Sequence, residues 1–231
     1  MYIYFITFVV SLLALLLFFG IYCLFESRQK AGCVFYEPSR FVSLQSFEKH
    51  FGEIRAEAVA ARANLPLLDV SRSRSTWTKS GAQEFMERVQ AAGAGWVRAW
   101  QLDSKQPNKR WLNFPLMVDG TEFRDNARHC PTLAALLRKH RSIINVAGFS
   151  LMVPHSSIPT HTDTTGVRYG SLAYHLGLVV PDAEKCTLTV DGKTVQQSEA
   201  KSIVFDSTYR HSARNDADKE RIILYIDFKT G

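Results

Sequence analysis

A succession of short β-type segments between residues 143 and 228 most strongly limits the fold of this chain. Turn residues separate segments rich in β-branched and aromatic residues at intervals of about ten positions, and Asp191-Gly192 is typical of a two-residue hairpin. This pattern predicts a mostly β fold, built as an antiparallel roll of two sheets. The strands are expected at Ile143–Val153, Ser171–Val180, Cys186–Val190, Lys193–Gln196, Lys201–Asp206 and Arg221–Phe228.

Three residues within this series have the composition of a metal site. His161 and Asp163 are separated by one residue, and His211 follows about fifty residues later. In an extended segment, side chains two positions apart lie on the same face, so His161 and Asp163 point the same way. Two histidines and one carboxylate form the facial triad that binds non-haem Fe(II) and leaves coordination positions open. Each residue alone also fits a surface turn or a strand end, but their order predicts an iron site.

Arg221 opens the last predicted strand. The apolar face of this strand is formed by the alternate residues Ile222, Leu224, Ile226 and Phe228. Arg221 therefore lies on the opposite face, where a buried guanidinium would require an anion, and a carboxylate is its best geometric partner. The alternative is an arginine at the mouth of the strand that is solvated or paired with Glu220.

Together, these residues resemble the aspartyl/asparaginyl β-hydroxylase family of Fe(II)- and 2-oxoglutarate-dependent dioxygenases. The resemblance extends from about Trp96 to Phe228. It rests on His161-Thr-Asp163, Tyr174-His-Leu-Gly-Leu178, Phe205-Asp206, His211, Arg221 and the upstream Asn126-Ala-Arg-His-Cys-Pro131. The family implies a double-stranded β-helix, a jelly-roll or cupin-like fold with flanking α-helices. It also implies Fe(II), 2-oxoglutarate as a co-substrate that chelates the iron, and O2.

The resemblance implies a role for each matching residue. The three residues of the predicted iron site correspond to the metal ligands and hence to the catalytic centre. Arg221 corresponds to the residue that pairs with the distal carboxylate of 2-oxoglutarate, and Ser150 corresponds to a hydroxyl that assists it. His175 corresponds to a histidine near the carboxylate bound to iron.

Two positions differ from family members that hydroxylate proteins. Some of those members have glycine in place of the carboxylate ligand, whereas this chain has Asp163 and a complete triad. They also have an arginine that contacts the substrate two residues before the pocket histidine, and here that position is Ala173. Without this cation, an acidic peptide side chain would lack a partner, although Arg168 is close in sequence.

A second branch of the family, bacterial membrane hydroxylases that act on the acyl chains of lipid A, also resembles this chain. Its motifs His-x-Asp, Ser-Leu-x-Tyr-His-Leu-Gly-Leu and Phe-Asp-x-Thr-Tyr-x-His occur here at residues 161–163, 171–178 and 205–211. Arginine is usual at the position of Ala173 in this branch too.

The expected reaction is hydroxylation of an unactivated C–H bond. The family name places the β-carbon of Asp or Asn residues in a protein first, with the acyl chain of a membrane lipid as the alternative. A non-catalytic domain that senses 2-oxoglutarate or a metal is an alternative of another class, because a fold does not by itself determine function.

The N-terminal segment Tyr2–Phe25 is apolar and carries no charge. At about 1.5 Å per residue it is long enough to span a bilayer. A cleaved signal peptide would have a basic start, a shorter apolar core and a small-residue cleavage site. We therefore predict an uncleaved, single-pass membrane anchor at residues 1–26.

The side of the membrane on which the domain lies stays open. Arg28 and Lys30 follow the apolar segment and favour a cytoplasmic catalytic domain by the positive-inside rule. The protein hydroxylases that the chain resembles face the secretory lumen instead.

The rest of the chain is expected to comprise a linker at 27–40, a helical support region at 41–95 and the double-stranded β-helix dioxygenase domain at 96–231. Helices are predicted at 41–64, 81–92 and 130–140, the first packing on the roll or, alternatively, lying on a membrane surface. Trp96, Trp100 and Trp111 are expected to pack in the core or to form a wall of the substrate site.

The net charge and the cysteine spacing argue against a nucleic-acid-binding protein, a zinc protein and a disulfide-stabilised protein. The net charge of +6 is spread along the chain without a dense Lys/Arg block, which argues against nucleic acid and favours a mild attraction to anionic lipid headgroups. The cysteines Cys23, Cys33, Cys130 and Cys186 are too scattered for a zinc pattern or a disulfide framework. The sequence does not determine the oligomeric state.

Overall fold

The computed structural model describes residues 33–70, 79–99, 108–163 and 170–230. The predicted anchor at 1–26, residues 27–32 of the predicted linker, Trp100 and Arg168 lie outside these ranges. Within the described ranges, no helix has both the length and the apolar character needed to cross a membrane.

Short strands make up most of the regular structure between residues 33 and 230. The strands are β1 (Phe35–Tyr36), β2 (Val97–Ala99), β3 (Asn108–Val118), β4 (Thr121–Glu122), β5 (Ile144–Met152), β6 (Ser156–His161), β7 (Ser171–Val179), β8 (Cys186–Val190), β9 (Lys193–Gln196), β10 (Ser202–Phe205), β11 (His211–Asn215) and β12 (Arg221–Lys229). The helices are α1 (Gln45–Lys49), α2 (Phe51–Asn64), α3 (Lys79–Ala91), α4 (Arg124–Arg128) and α5 (Pro131–Lys139), with 3-10 turns at Pro38–Arg40 and Val42–Leu44.

The strands form two antiparallel sheets, a larger and a smaller one. The larger sheet has the order β1-β10-β7-β12-β5-β3-β2, with β4 added beside β3, and the smaller has the order β6-β11-β8-β9. From β5 onward the chain crosses back and forth, since β5, β7, β10 and β12 belong to the larger sheet and β6, β8, β9 and β11 to the smaller one. This order confirms the predicted mostly β roll of double-stranded β-helix type, with helices beside it.

The larger sheet is covered on both faces. Its outer face packs against the helices through the alternate apolar residues of β12, together with Phe47, Ile54 and Leu133. Its inner face packs against the smaller sheet in two clusters, one that contains Ala173, Leu188, Val190 and Phe205 and one that contains Met152, Ile158 and Ala213. The two faces predicted for β12 are therefore confirmed, and Arg221 faces the smaller sheet.

The helix predicted at 41–64 is divided at His50. The His50 backbone leaves the helical region, with φ −104° and ψ 26°, and its ring Nδ1 lies 2.8 Å from the carbonyl oxygen of Ser46. A side chain that bonds this carbonyl competes with the regular helical pattern. The helical segments still pack on the roll as expected. Helical spacing places Val59 on the same stripe as the buried Ile54 and Ala58, but Val59 is 43% exposed.

Residues 34–40, expected as the end of a linker, instead belong to the folded unit. Val34 is buried, and its carbonyl accepts a 3.0 Å hydrogen bond from the backbone N–H of Asp206. β1 then pairs with the edge strand β10, with Phe35 opposite Phe205. The short pairing covers an otherwise open sheet edge, which explains why so brief a segment is ordered.

The connection from β9 to β10 crosses β7 at Gly177. The Gly177 N–H donates to Lys201 O at 3.1 Å, and the Ala200 N–H donates to Gly177 O at 3.0 Å. A Cβ at position 177 would overlap the carbonyl oxygen of Ser198. Glycine is required here because the two backbones approach too closely for any side chain.

Gly177→Ala should therefore lower the free energy of unfolding by about 1 to 3 kcal/mol, the usual cost of overpacking. Gly52→Ala is the matched control, since Gly52 lies in α2 and a Cβ there would have no neighbour within 4 Å. The control is expected to leave stability unchanged or to raise it by about 0.5 to 1 kcal/mol. Denaturant titration of both variants checks this, and equal effects would contradict the close approach at Gly177.

Candidate metal centre

Strand pairing brings the two predicted histidine ligands together. His161 ends β6 and His211 begins β11, and the two residues are direct partners in the antiparallel register. Their ring centroids are 4.2 Å apart. Asp163 lies two residues beyond β6, where its backbone N–H donates to Ser207 O at 2.9 Å. The loop between β10 and β11 therefore holds the carboxylate beside both imidazoles.

The side-chain atoms of these three residues converge on one point. His161 Nε2 lies 3.7 Å from Asp163 Oδ1, and His211 Nε2 lies 3.8 Å from Asp163 Oδ2. The three candidate ligand atoms are all within 4.8 Å of one another. These separations exceed hydrogen-bonding distance and leave space for one ion between the three residues.

Backbone carbonyls determine which nitrogen of each imidazole carries the proton. His161 Nδ1 is 2.8 Å from Pro159 O, and His211 Nδ1 is 2.9 Å from Tyr209 O. A carbonyl only accepts, so each Nδ1–H donates and each Nε2 presents a lone pair. Burial lowers the pKa of His211, although the Asp163 charge opposes this shift. Three lone-pair donors that meet without a proton between them suit a divalent cation, and two histidines with one carboxylate suit Fe(II).

Tyr225 supports the carboxylate ligand. Its hydroxyl donates to Asp163 Oδ2 at 3.2 Å. Burial, followed by the charge of Asp163, raises the pKa of Tyr225 well above its ordinary value, so the hydroxyl stays protonated and remains a donor. Alternation along β12 puts Tyr225 on the same face as Arg221, but no pattern in the sequence indicates this hydrogen bond.

Arg221 is a buried cation without a carboxylate partner among the described residues. Its side chain is 1% exposed, Nη1 donates to Gln197 Oε1 at 2.6 Å, and Nε has no partner there. The alternative pairing with Glu220 is wrong, because Glu220 binds Arg62 at 2.6 Å. Burial lowers the pKa of Arg221 to about 10, so the group is still charged at neutral pH. Such a guanidinium is a ready site for an incoming carboxylate.

Ser150 lies on the same inner face as Arg221. Arg221 is opposite Met152 in the register of β12 with β5, and Ser150 is two residues along β5. Ser150 Oγ accepts a 2.9 Å hydrogen bond from Trp111 Nε1, and the Trp111 ring lies 6.3 Å from that of His161. Trp111 therefore lines the site.

Trp96 is a core residue instead. It is fully buried, and its Nε1 donates to Ala61 O at 3.1 Å. Of the two alternatives expected for the tryptophans, core packing describes Trp96 and a wall of the site describes Trp111.

His175 completes the predicted set. It is paired with Tyr225 across β7 and β12, and its ring packs edge-on against Phe205 at 5.0 Å. Burial and then the charge of Arg221 hold the pKa of His175 well below its ordinary value. Gln197, which sequence reasoning missed, lies 3.3 Å from His175 Nδ1. No sequence motif identifies Gln197, because it approaches His175 only where the connection from β9 to β10 crosses β7 at Gly177.

Comparison with known proteins gives a family match over most of the chain. Residues 48–230 match the family model described as Aspartyl/Asparaginyl beta-hydroxylase. The Ornithine lipid ester-linked acyl 2-hydroxylase of Rhizobium tropici is 35% identical over 120 residues, which cover 52% of this chain and 41% of that protein. The mouse Aspartyl/asparaginyl beta-hydroxylase is 30% identical over 121 residues, which cover 51% of this chain and 16% of that protein. The chain therefore spans less than half the length of either relative.

A solved structure described as an oxidoreductase of the 2OG-Fe(II) oxygenase family, from Burkholderia pseudomallei, overlaps with a TM-score of 0.42 at 17% identity. The overlap covers 66% of this chain and 91% of that chain. The strand order and register of the two sheets define the fold.

Replacing either histidine should remove metal binding. His161→Ala and His211→Ala are each expected to weaken Fe(II) binding by more than the roughly 100-fold that loss of a supporting residue can cost. His155→Ala is the matched control, because His155 is exposed and bonds Asp218 outside the site. Anaerobic calorimetric titration measures all three, and unchanged affinity in either ligand variant would rule out the triad.

Proposed function

The chain belongs to the aspartyl/asparaginyl β-hydroxylase family, and on that premise we propose that it is an Fe(II)- and 2-oxoglutarate-dependent dioxygenase that hydroxylates an unactivated C–H bond. The observation that carries this proposal is a His-Asp-His cluster together with a buried arginine on the larger sheet that has no carboxylate partner among the described residues. In the overall reaction, 2-oxoglutarate, O2 and R–H give succinate, CO2 and R–OH. One oxygen atom enters succinate and the other enters the product.

The residues of the chain would bind and orient the reactants. Iron, if bound by the triad, would supply the oxygen chemistry. The Arg221 guanidinium neutralises the distal carboxylate of 2-oxoglutarate, and the Ser150 hydroxyl, held by Trp111, lies on the same face of the larger sheet. The Trp111 ring, 6.3 Å from that of His161, forms one wall of the site.

The surroundings of Ala173 favour an apolar substrate. Ala173 is fully buried in a cluster with Leu188, Val190 and Phe205, and the Phe205 ring packs on that of His211 at 5.4 Å. Among the described residues, Arg221 is the one buried Lys or Arg side chain, and the co-substrate would occupy it. A second carboxylate would therefore find no buried guanidinium in this part of the chain. We propose the acyl chain of a membrane lipid as the substrate class.

Two further findings agree with a lipid substrate. The relative from Rhizobium tropici, at 35% identity, carries the name of an acyl hydroxylase. An anchor at residues 1–26, which stays part of the proposal with its side of the membrane open, would keep the domain at the bilayer.

The β-carbon of Asp or Asn residues in a protein is the second candidate. It is favoured by the family description and by the 30% identity to the mouse Aspartyl/asparaginyl beta-hydroxylase. In this case a cation outside the described residues, such as Arg168, would have to meet the acidic side chain.

Mass spectrometry distinguishes the candidates. The full chain, reconstituted in vesicles with Fe(II) and 2-oxoglutarate, is incubated with membrane lipids or with peptides that contain Asp and Asn. A gain of one oxygen on acyl chains is expected, whereas oxygen on peptides alone would reverse the order of the two candidates. Absence of both products and of succinate in air would favour the non-catalytic sensor.

Arg221→Gln should weaken binding of 2-oxoglutarate by about 2 to 4 kcal/mol, because a desolvated charged hydrogen bond loses one partner. The affinity for Fe(II) should barely change. Arg214→Gln is the matched control, since Arg214 is exposed and paired with Asp216 on the surface. An unchanged KM for 2-oxoglutarate in Arg221→Gln would place the co-substrate elsewhere.

A further inference from the structure

Gln197 lies between the two groups that are expected to meet the carboxylates of 2-oxoglutarate. Its side chain is buried, its Oε1 accepts from Arg221 Nη1 at 2.6 Å, and its Nε2 lies 3.3 Å from His175 Nδ1. We propose that Gln197 is a positioning residue that holds His175 as the neutral tautomer with its proton on Nε2. The same amide group also orients the Arg221 guanidinium. The inference deepens the proposed function and, for its kinetic consequence, rests on it.

The fold delivers Gln197 to this position through backbone contacts. The Gln197 N–H donates to Cys186 O at 2.8 Å, which fixes the residue at the end of β9. The next residue, Ser198, passes directly over Gly177 on β7. Since Gly177 is two positions from His175 along the same strand, the side chain of Gln197 is confined to the inner face beside that ring.

The chemistry of the neighbours fixes the orientation of the amide. A guanidinium has donors only, so Arg221 must face the amide oxygen of Gln197. The amide NH2 group then faces His175, and Nδ1 has to accept from it. An imidazole that accepts at Nδ1 and is neutral carries its proton on Nε2. The orientation thus follows from the partners and does not depend on distinguishing amide oxygen from nitrogen by position.

The arrangement leaves one donor of His175 for a ligand. His175 Nε2–H forms no hydrogen bond with any residue of the described ranges, and the ring is flanked by the aromatic side chains of Phe205 and Tyr225. The Gln197 amide therefore orients two hydrogen-bond donors, the guanidinium of Arg221 and the Nε2–H of His175. A ligand with a carboxylate at each end matches this pair.

A neutral amide is needed at position 197. A carboxylate there would pair with Arg221 and cancel the charge that an incoming carboxylate requires. It would also accept a hydrogen bond from His175 and so favour the tautomer with its proton on Nδ1. Gln197→Glu changes only this property, because the two side chains have nearly the same size. Gln196→Glu is the matched control, since Gln196 is the adjacent residue and is exposed.

The first test is the tautomer of His175 in the metal-free full chain. Nitrogen-15 NMR of the imidazoles, with His175 identified by the loss of its signals in His175→Gln, should show a neutral ring protonated on Nε2 at neutral pH. Gln197→Glu should place a proton on Nδ1, and Gln196→Glu should leave the wild-type pattern. A wild-type ring with its proton on Nδ1, or an unchanged pattern in Gln197→Glu, would overturn the inference.

The second test is kinetic. Gln197→Glu should raise the KM for 2-oxoglutarate by about 10- to 100-fold, the loss expected for a hydrogen bond to a charged group, while Fe(II) affinity stays within about twofold. Gln197→Met, which has similar length and no amide, should raise KM less and keep the same fold by circular dichroism. Loss of Fe(II) binding together with the rise in KM would show a merely structural role and overturn the inference.

The two tests separate the inference from the proposed function. A wild-type protein with no turnover of 2-oxoglutarate refutes the proposed function, but the NMR result still decides the tautomer. A wild-type protein that turns over 2-oxoglutarate with an unchanged KM in Gln197→Glu refutes the inference alone.

Discussion

The antiparallel pairing of β6 with β11 is the constraint on which the site depends. It sets His161 opposite His211, and a slip of one residue would turn one imidazole to the opposite face of the sheet. Both strands belong to the smaller sheet, whose inner face packs on the larger one. The same pairing therefore directs the two ligands toward the strand that carries Arg221. The helices cover the far side of the larger sheet and contribute none of the site residues.

The interior of the roll holds two sites of opposite preference, one suited to a metal cation and one suited to a carboxylate. Around Asp163, three lone-pair donors lie within 4.8 Å of one another. At Arg221, a buried guanidinium has only the neutral amide of Gln197 as a described side-chain partner. Buried charged groups require partners, so each arrangement favours an occupant of the matching charge. A metal and an acid bound together would relieve both, which is why binding of the two is expected to be mutually favourable.

Local patterns explain what the sequence could predict. β7, β8, β9 and β12 match their predicted bounds closely, since their apolar residues alternate and turn residues delimit them, and the ligands lie in short motifs. β6 and β11 were not assigned as strands, because Ser-Ser-Ile-Pro-Thr-His and His-Ser-Ala-Arg-Asn are largely polar and become strands by pairing with each other. Gln197 and the hydroxyl of Tyr225 acquire their partners through tertiary approach, which no spacing along the chain reveals.

The carbonyls that orient the two ligand imidazoles belong to the same backbone segments as the histidines themselves. Pro159 and Tyr209 each lie two residues before the histidine that they orient, within the same stretch of backbone. The two ligand imidazoles are therefore oriented by local backbone contacts that do not involve an ion. We expect an ion to load after folding and to exchange without loss of the fold. The identity of the bound ion is then expected to depend on the ligand set, which suits Fe(II), and on which divalent ions are available to the folded protein.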